Sequence, residues 1–303
     1  MQKIAIVGAG RMGLGIAEVA VKQGLSVVLL RASDGDPAAT RQRFEAILNR
    51  HVERGRLERN EADAMLGRIE FARGVEAVAD VDLAIESAGE ELVSKAALLA
   101  RIEAHLPTTA LLATNTSSLS LAKLAESLTQ PQRFLALHFF NPAPVMKLVE
   151  VAGTAKTTDE TLAAGRALVE ALGKTPVTLA PRPGYVVNRL LVPLILHAME
   201  SLEADIASPE DIDRAMKLGC GHPMGPLELA DLIGLDVVMA MASTMLVELK
   251  DSRFRIPSLL RRLVLAGHLG LKTGRGVYVY GKGERHPSEL LRIHHADVHD
   301  AAE

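Results

Sequence analysis

A single cysteine, Cys220, is all the thiol in this 303-residue chain. One thiol cannot form an internal disulfide, so the expected compartment is a reducing cytoplasm, and Cys220 is read as a packing residue. No apolar run approaches the roughly 20 residues that a bilayer-spanning helix needs, so no membrane is expected as a partner. Charge of neither sign dominates: 34 Lys and Arg stand against 37 Asp and Glu, a formal net charge of −3. That balance gives no reason to expect nucleic acid or an anionic lipid surface. Internal repeats and low-complexity tracts are missing as well. The chain enters a strand almost at once, so no leader peptide is expected. What is left is a globular composition, 48% hydrophobic with charges spread throughout. The length suffices for two modest domains or one large one.

The first informative stretch is a short apolar run, Ile4 to Val7, followed by Gly8-Ala9-Gly10-Arg11-Met12-Gly13. A helical pattern then runs from Leu14 to Gln23, and a second apolar run covers Val27 to Leu30. Strand, glycine turn and helix in this order make a dinucleotide-binding β-α-β unit. Gly8, Gly10 and Gly13 serve a tight turn, close approach of backbone to a pyrophosphate, and close helix–strand packing. Arg11 and Met12 begin the helix, whose free N–H groups and dipole favour phosphate. The end of the second strand usually carries an acid for the ribose hydroxyls of NAD. Here Arg31, Ala32 and Ser33 take that place. Arginine pairs with a 2′-phosphate instead, which points to NADP, and Ser33 offers a further donor. The alternative is NAD, with Arg31 in solvent and Asp34 or Asp36 reaching back to the ribose.

Further apolar runs predict strands at Val81–Ile85, Ala110–Ala113, Phe134–Phe139, Lys147–Val151 and Val177–Leu179, with helices between several of them, such as Thr158–Leu172. Such alternation predicts an α/β fold: a Rossmann-type, doubly wound, mostly parallel sheet. After Pro181-Arg182-Pro183-Gly184 the patterns become helical, so residues 1–182 read as a dinucleotide-binding domain and 183–281 as a smaller all-helical domain. Ser208 reads as a helix N-cap with Pro209 in the first turn. Residues 282–303 read as a polar tail. Its His286, His294, His295 and His299 are taken as solvated, and no metal is expected.

The segment His138-Phe139-Phe140-Asn141-Pro142 through Leu148-Val149-Glu150 supplies both halves of a proton-transfer pair. A histidine can take an alcohol proton, and a carboxylate can fix its tautomer. The residues between are largely apolar and would keep the pair dry.

Taken together, these residues resemble the 3-hydroxyacyl-CoA dehydrogenase family, and within it the short bacterial 3-hydroxybutyryl-CoA dehydrogenases. Thr114-Asn115-Thr116-Ser117-Ser118-Leu119 is similar to one family segment, and Pro183-Gly184-Tyr185-Val186-Val187-Asn188-Arg189 to another that usually carries Phe in place of Tyr185. Gly221 to Pro226, Asp231 to Asp236 and Gly270 to Tyr278 extend the likeness, which covers roughly residues 3 to 281. The resemblance implies hydride transfer between an acyl-CoA substrate and NAD or NADP. It implies His138 as general base, Glu150 as its orienting acid, and Ser117 and Asn188 as hydrogen-bonding partners of the reacting oxygen. Glu90, Lys95, Asn141 and Lys272 would border the cofactor, although Ser87-Ala88-Gly89 depart from the usual surroundings. A homodimer through the helical domain is also implied.

Blander readings stand beside these. Asn188 is equally a helix-start residue, Ser117 and Ser118 caps for a helix near Leu119, Lys95 a solvated lysine, and Lys272 a loop anchor. The arginines from Arg41 to Arg59 read either as a CoA-phosphate surface or as a solvated helix face. Rival functions are a dehydrogenase of free hydroxyacids or sugar acids on the same fold, and a non-catalytic dinucleotide-binding protein. The free-acid enzymes use a lysine where Asn188 stands.

Overall fold

The computed structural model describes residues 1–33, 35–281 and 285–291. The chain divides into two compact units, Met1–Tyr185 and Val186–Glu303.

In the first unit the strands are β1 (Lys3–Val7), β2 (Ser26–Leu30), β3 (Ile69–Ala72), β4 (Leu83–Glu86), β5 (Leu111–Thr114), β6 (Phe134–Phe139), β7 (Leu148–Gly153) and β8 (Thr175–Leu179). The helices are α1 (Arg11–Lys22), α2 (Pro37–Glu53), α3 (Arg59–Gly67), α4 (Leu92–His105), α5 (Leu121–Ala125) and α6 (Asp159–Ala171). One eight-stranded sheet has the order β3-β2-β1-β4-β5-β6-β7-β8. Strands β1 to β6 run parallel, β7 runs antiparallel to β6, and β8 is parallel to β7. The order reverses at β1 and β4, where such sheets open a ligand crevice at the strand ends.

Alternation along each strand builds two cores. Ile4 and Ile6 of β1 face one side, where α1, α2, α3 and α6 bring Ile16, Phe44, Met65 and Leu168. Ala5 and Val7 face the other side, where α4 and α5 bring Leu99, Ile102 and Leu124. Every strand expected in this unit is present. The sequence reading missed β3, whose Ile69-Glu70-Phe71-Ala72 is an edge strand with only Ile69 buried, so no continuous apolar run marks it. The helix-like stretch from Arg41 to Arg59 is in fact two helices, because α2 ends at Glu53 and α3 begins at Arg59.

The second unit holds α7 (Val187–Glu203), α8 (Pro209–Cys220), α9 (Pro226–Ile233), α10 (Leu235–Leu249) and α11 (Ser258–Leu265). They enclose Ile195, Leu196, Met199, Leu227, Val238, Met245, Phe254 and Leu260. Ser208 caps α8 as expected, accepting from the Asp211 amide at 3.2 Å, and Pro209 opens the helix. No single helix among the described residues is long and apolar enough to cross a membrane. Three expectations are corrected here. The unit is not wholly helical, because β9 (Tyr278–Tyr280) pairs antiparallel with β10 (Arg285–Pro287). The segment read as tail therefore contributes a strand containing His286, whereas His294, His295 and His299 lie outside the described residues. Cys220, read as packing, is exposed.

Two buried carboxylates organise this unit. Asp213 on α8 accepts from the amides of Leu227 at 2.8 Å and Glu228 at 3.0 Å and from the Tyr278 hydroxyl at 2.7 Å. It thus caps α9, whose own N-cap is Gly225. A side chain at residue 225 would collide with Asp213, only 2.3 Å from the Cβ position. Asp231 on α9 accepts from the Val277 and Tyr278 amides, both at 2.9 Å, and from the Tyr280 hydroxyl at 3.0 Å. Burial pushes the Asp231 carboxyl above its ordinary value, against the pull of these donors. Removing the Asp213 acceptor orphans three buried donors, so Asp213→Ala should cost about 2–4 kcal/mol in urea unfolding, and Asp213→Asn less. An alanine variant with the wild-type midpoint would show that α9 does not depend on this cap.

Candidate active site

The β6–β7 register sets the centre of the site. His138 lies directly opposite Glu150 in the antiparallel pair, on the same face as Phe134 and Ala136. Direct opposition brings side chains into contact. His138 Nδ1 lies 2.8 Å from Glu150 Oε2, with the two residues only 6% and 1% exposed. A buried carboxylate needs a donor, so the imidazole presents Nδ1–H to Glu150 and leaves Nε2 as its free acceptor. Phe140 and Tyr185 wall the imidazole, with ring centroids at 4.5 Å and 5.4 Å.

Tyr185 was read only as part of a motif, yet the structure singles it out. It adopts a left-handed φ of 46° and is 5% exposed. Its hydroxyl has no hydrogen-bond partner among the described residues. Burial, together with the charges of Glu90 and Glu150, pushes the phenol far above its ordinary value and keeps it protonated.

The loop after β6 is pinned from three sides. Phe139 donates its amide to Asn115 Oδ1 at 2.8 Å, tying the ends of β5 and β6 together. Lys174 Nζ donates to the carbonyls of Ala143 at 2.6 Å and Met146 at 2.7 Å, and burial lowers its pKa. Gly15 of α1 meets the same loop: a Cβ there would lie 3.2 Å from both Ala143 and Pro144. Asn141 is exposed at the start of this loop, and its peptide bond to Pro142 is cis.

Glu90 holds the loop after β5. Its Oε1 accepts from the amides of Ser117 at 2.9 Å and Ser118 at 3.2 Å, from Ser118 Oγ at 3.2 Å, and from the Thr116 hydroxyl. Burial alone would raise this carboxyl, but the Lys95 charge and these donors hold it below its ordinary range. Ser117 is half-buried, and the helix cap is Ser120 rather than Ser118, because α5 begins two residues later than expected.

Lys95 is not solvated. It is 2% exposed, with Nζ 2.6 Å from Glu86 Oε1 and 3.5 Å from Glu90 Oε2. Glu86, wholly buried at the end of β4, also accepts from Thr114 Oγ1 and the Ala88 amide, both at 2.6 Å. Sequence reasoning missed Glu86. The available signal was an acid ending the otherwise apolar run Leu83-Ala84-Ile85.

The glycine turn fits a dinucleotide. Gly8 has a φ of 127°, and a Cβ there would come 2.3 Å from the Ser87 carbonyl oxygen. A Cβ at Gly13 would lie 1.7 Å from the Gly8 oxygen. At Gly10 the same test meets nothing within 4 Å, which leaves the room a pyrophosphate requires. Gly10 is also the N-cap of α1 and supplies no side chain to the first-turn amides of Arg11 and Met12. Arg31 is exposed, and its side chain runs against Gly35, where a Cβ would fall 2.5 Å from Arg31 Cδ. Asp36 Oδ1 accepts from the Ala38 amide at 2.9 Å as the N-cap of α2, while Asp34 lies outside the described residues.

Asn188 and Lys272 belong to the second unit. Asn188 is 8% exposed in the first turn of α7. Lys272 Nζ sits 2.6 Å from both carboxylate oxygens of Asp236.

Comparison with known proteins places the chain in a family. The family model described as 3-hydroxyacyl-CoA dehydrogenase, NAD binding domain, matches residues 3–181, and that of the C-terminal domain of the same family matches residues 184–280. A 3-hydroxybutyryl-CoA dehydrogenase of Mycobacterium tuberculosis is 41% identical over 282 residues, which is 92% of this chain and 99% of that protein. A probable 3-hydroxybutyryl-CoA dehydrogenase of Bacillus subtilis is 39% identical over 92% of this chain and 98% of its own. The crystal structure of (S)-3-hydroxybutyryl-CoA dehydrogenase from Ralstonia eutropha is similar with a TM-score of 0.87 and 42% identity, covering 93% of this chain and all of that one. The chain therefore belongs to the 3-hydroxyacyl-CoA dehydrogenase family.

Proposed function

We propose that the chain interconverts a short L-3-hydroxyacyl-CoA, such as 3-hydroxybutyryl-CoA, and its 3-keto form, using a nicotinamide dinucleotide. The observation that carries this reading is the buried 2.8 Å contact between His138 Nδ1 and Glu150 Oε2. In the oxidative direction His138 Nε2 takes the proton of the 3-hydroxyl while the C3 hydrogen leaves as hydride and the carbonyl forms. Glu150 holds the tautomer and balances the charge that the imidazole acquires. Bound nicotinamide supplies the hydride acceptor.

The turn at Gly8, Gly10 and Gly13 with the amides of Arg11 and Met12 would hold the pyrophosphate. Ser117, fixed by Glu90, and Asn188 would hydrogen-bond the reacting oxygen. Glu90 and Lys95 shape the loop beside the cofactor, and Asn141 would border the nicotinamide. The bidentate pairing of Lys272 with Asp236 supports the loop-anchor alternative for that residue. Arg31 favours NADP over NAD, since Asp36 is occupied as a helix cap.

Residues 183–281 would serve substrate binding and dimerisation. Exposed Leu190, Leu218, Val247 and Leu265 support a homodimer through this unit. Within the basic segment from Arg41 to Arg59, the solvated-face alternative is supported by the pairing of Arg41 on α2 with Glu45 at 2.8 Å and of Arg59 on α3 with Asn49 at 2.7 Å. The one-cysteine composition supports a cytoplasmic setting.

Reduction of acetoacetyl-CoA but not of free acetoacetate is expected, and the reverse preference would move the assignment to a free-acid dehydrogenase. Loss of the base should cost about 10²–10⁴ in turnover, so His138→Gln should lose kcat while still binding dinucleotide by calorimetry. Turnover at the wild-type rate would remove His138 from the chemistry. For Glu150→Gln we expect a lower kcat and an altered pH–rate profile; an unchanged profile would leave Glu150 a purely structural partner.

A further inference from the structure

Resting on the dinucleotide reading of the glycine turn, we infer that Arg31 and Arg43 together form a site for the 2′-phosphate of NADP. The two arginines meet the turn at adjacent points. The Gly8 amide donates to the Leu30 carbonyl at 2.8 Å, joining the turn to the end of β2. Arg31 follows Leu30, and Ala9 follows Gly8. Arg43, reaching over from α2, donates Nη1 to the Ala9 carbonyl at 3.0 Å. Arg31 thus stands one residue along the chain from this hydrogen bond, and the Arg43 guanidinium is tied one residue from its other end. In sheets of this order the adenosine ribose lies just beyond the end of the second strand.

Neither Arg31 nor Arg43 pairs with a carboxylate among the described residues, whereas Arg41, on the same helix as Arg43, is matched by Glu45. Asp36, the described acid nearest to Arg31 in sequence, spends its carboxylate on the N-terminus of α2. No carboxylate stands among Arg31, Ala32 and Ser33 to accept from a 2′-hydroxyl. The arrangement therefore suits a dianion and offers little to a bare diol. Gly35 belongs to the same device: its missing side chain is the space in which Arg31 lies. Within the basic segment from Arg41 to Arg59, Arg43 turns toward the glycine turn.

The test compares adenosine 2′,5′-bisphosphate with 5′-AMP, which differ only in the 2′-phosphate. By calorimetry on the full chain, the bisphosphate should bind at least about tenfold more tightly, as hydrogen bonds to charged groups imply. Arg31→Gln and Arg43→Gln should each remove most of that preference. Arg54→Gln, a charge control at the far end of α2, should retain it. In turnover with acetoacetyl-CoA the same variants should shift the NADPH-to-NADH ratio of kcat/KM in the same sense. Equal affinity for the two nucleotides in the wild-type protein, or a preference indifferent to Arg31 and Arg43, overturns the inference and leaves the dehydrogenase assignment standing. Failure to bind either nucleotide overturns both.

Discussion

The reversal of chain direction between β6 and β7 is the constraint on which the chemistry rests. Six parallel strands carry their functional ends to one edge, as every sheet of this class does. An antiparallel neighbour joined by a short loop then places a carboxylate directly across from the side chain at the end of β6. A parallel seventh strand would have needed a crossover of a dozen or more residues. Its register would then depend on distant packing. Here the eight residues from 140 to 147 join the two strands, and the ladder itself enforces the contact between His138 and Glu150. Burying both groups costs solvation, which their mutual hydrogen bond offsets only while the geometry holds. That explains the investment in pinning the loop through Asn115, Lys174 and Gly15.

A second buried polar layer lies on the same face of the sheet. Glu86, Lys95, Thr114 and Glu90 link β4, α4, β5 and the loop carrying Ser117 into one hydrogen-bonded unit. A single cation serves two carboxylates, and hydroxyl and amide donors occupy their remaining lone pairs. Satisfied networks of this kind rigidify what they touch. The loop they hold presents Ser117, while Lys95 and the donors hold the Glu90 carboxyl below its ordinary range against the effect of burial.

Much of this was legible in the sequence, for identifiable reasons. Strand, glycine turn and helix appear in order because a phosphate site tolerates few alternatives at Gly8 and Gly13, where backbone passes within contact distance of backbone. The strand at Phe134–Phe139 is buried along its whole length and so reads as a continuous apolar run. Two edge strands escaped because few of their residues are buried: β3 shows no run, and β10, as Arg285-His286-Pro287, reads as tail, whereas edge strand β8 was caught by its Val177-Thr178-Leu179 run. Glu86 and Lys95 were misjudged because sequence shows charge but not depth. Tyr185 gave no signal at all, since its interest lies in an unpartnered hydroxyl that only three-dimensional packing reveals. Arg43 was hidden among five other arginines from Arg41 to Arg59, and its direction of reach is a tertiary fact.

Helix α1 serves two masters. Its N-terminus offers amides to a phosphate, and one turn further along Gly15 supports the loop that follows His138. Nucleotide grip and proton transfer are thus mechanically joined through a shared strut a few residues long. A change that tilts this helix would be felt at both of its customers at once. Arg31, just past β2, and Arg43 on α2 stand apart from this strut, so changes at either would leave it undisturbed.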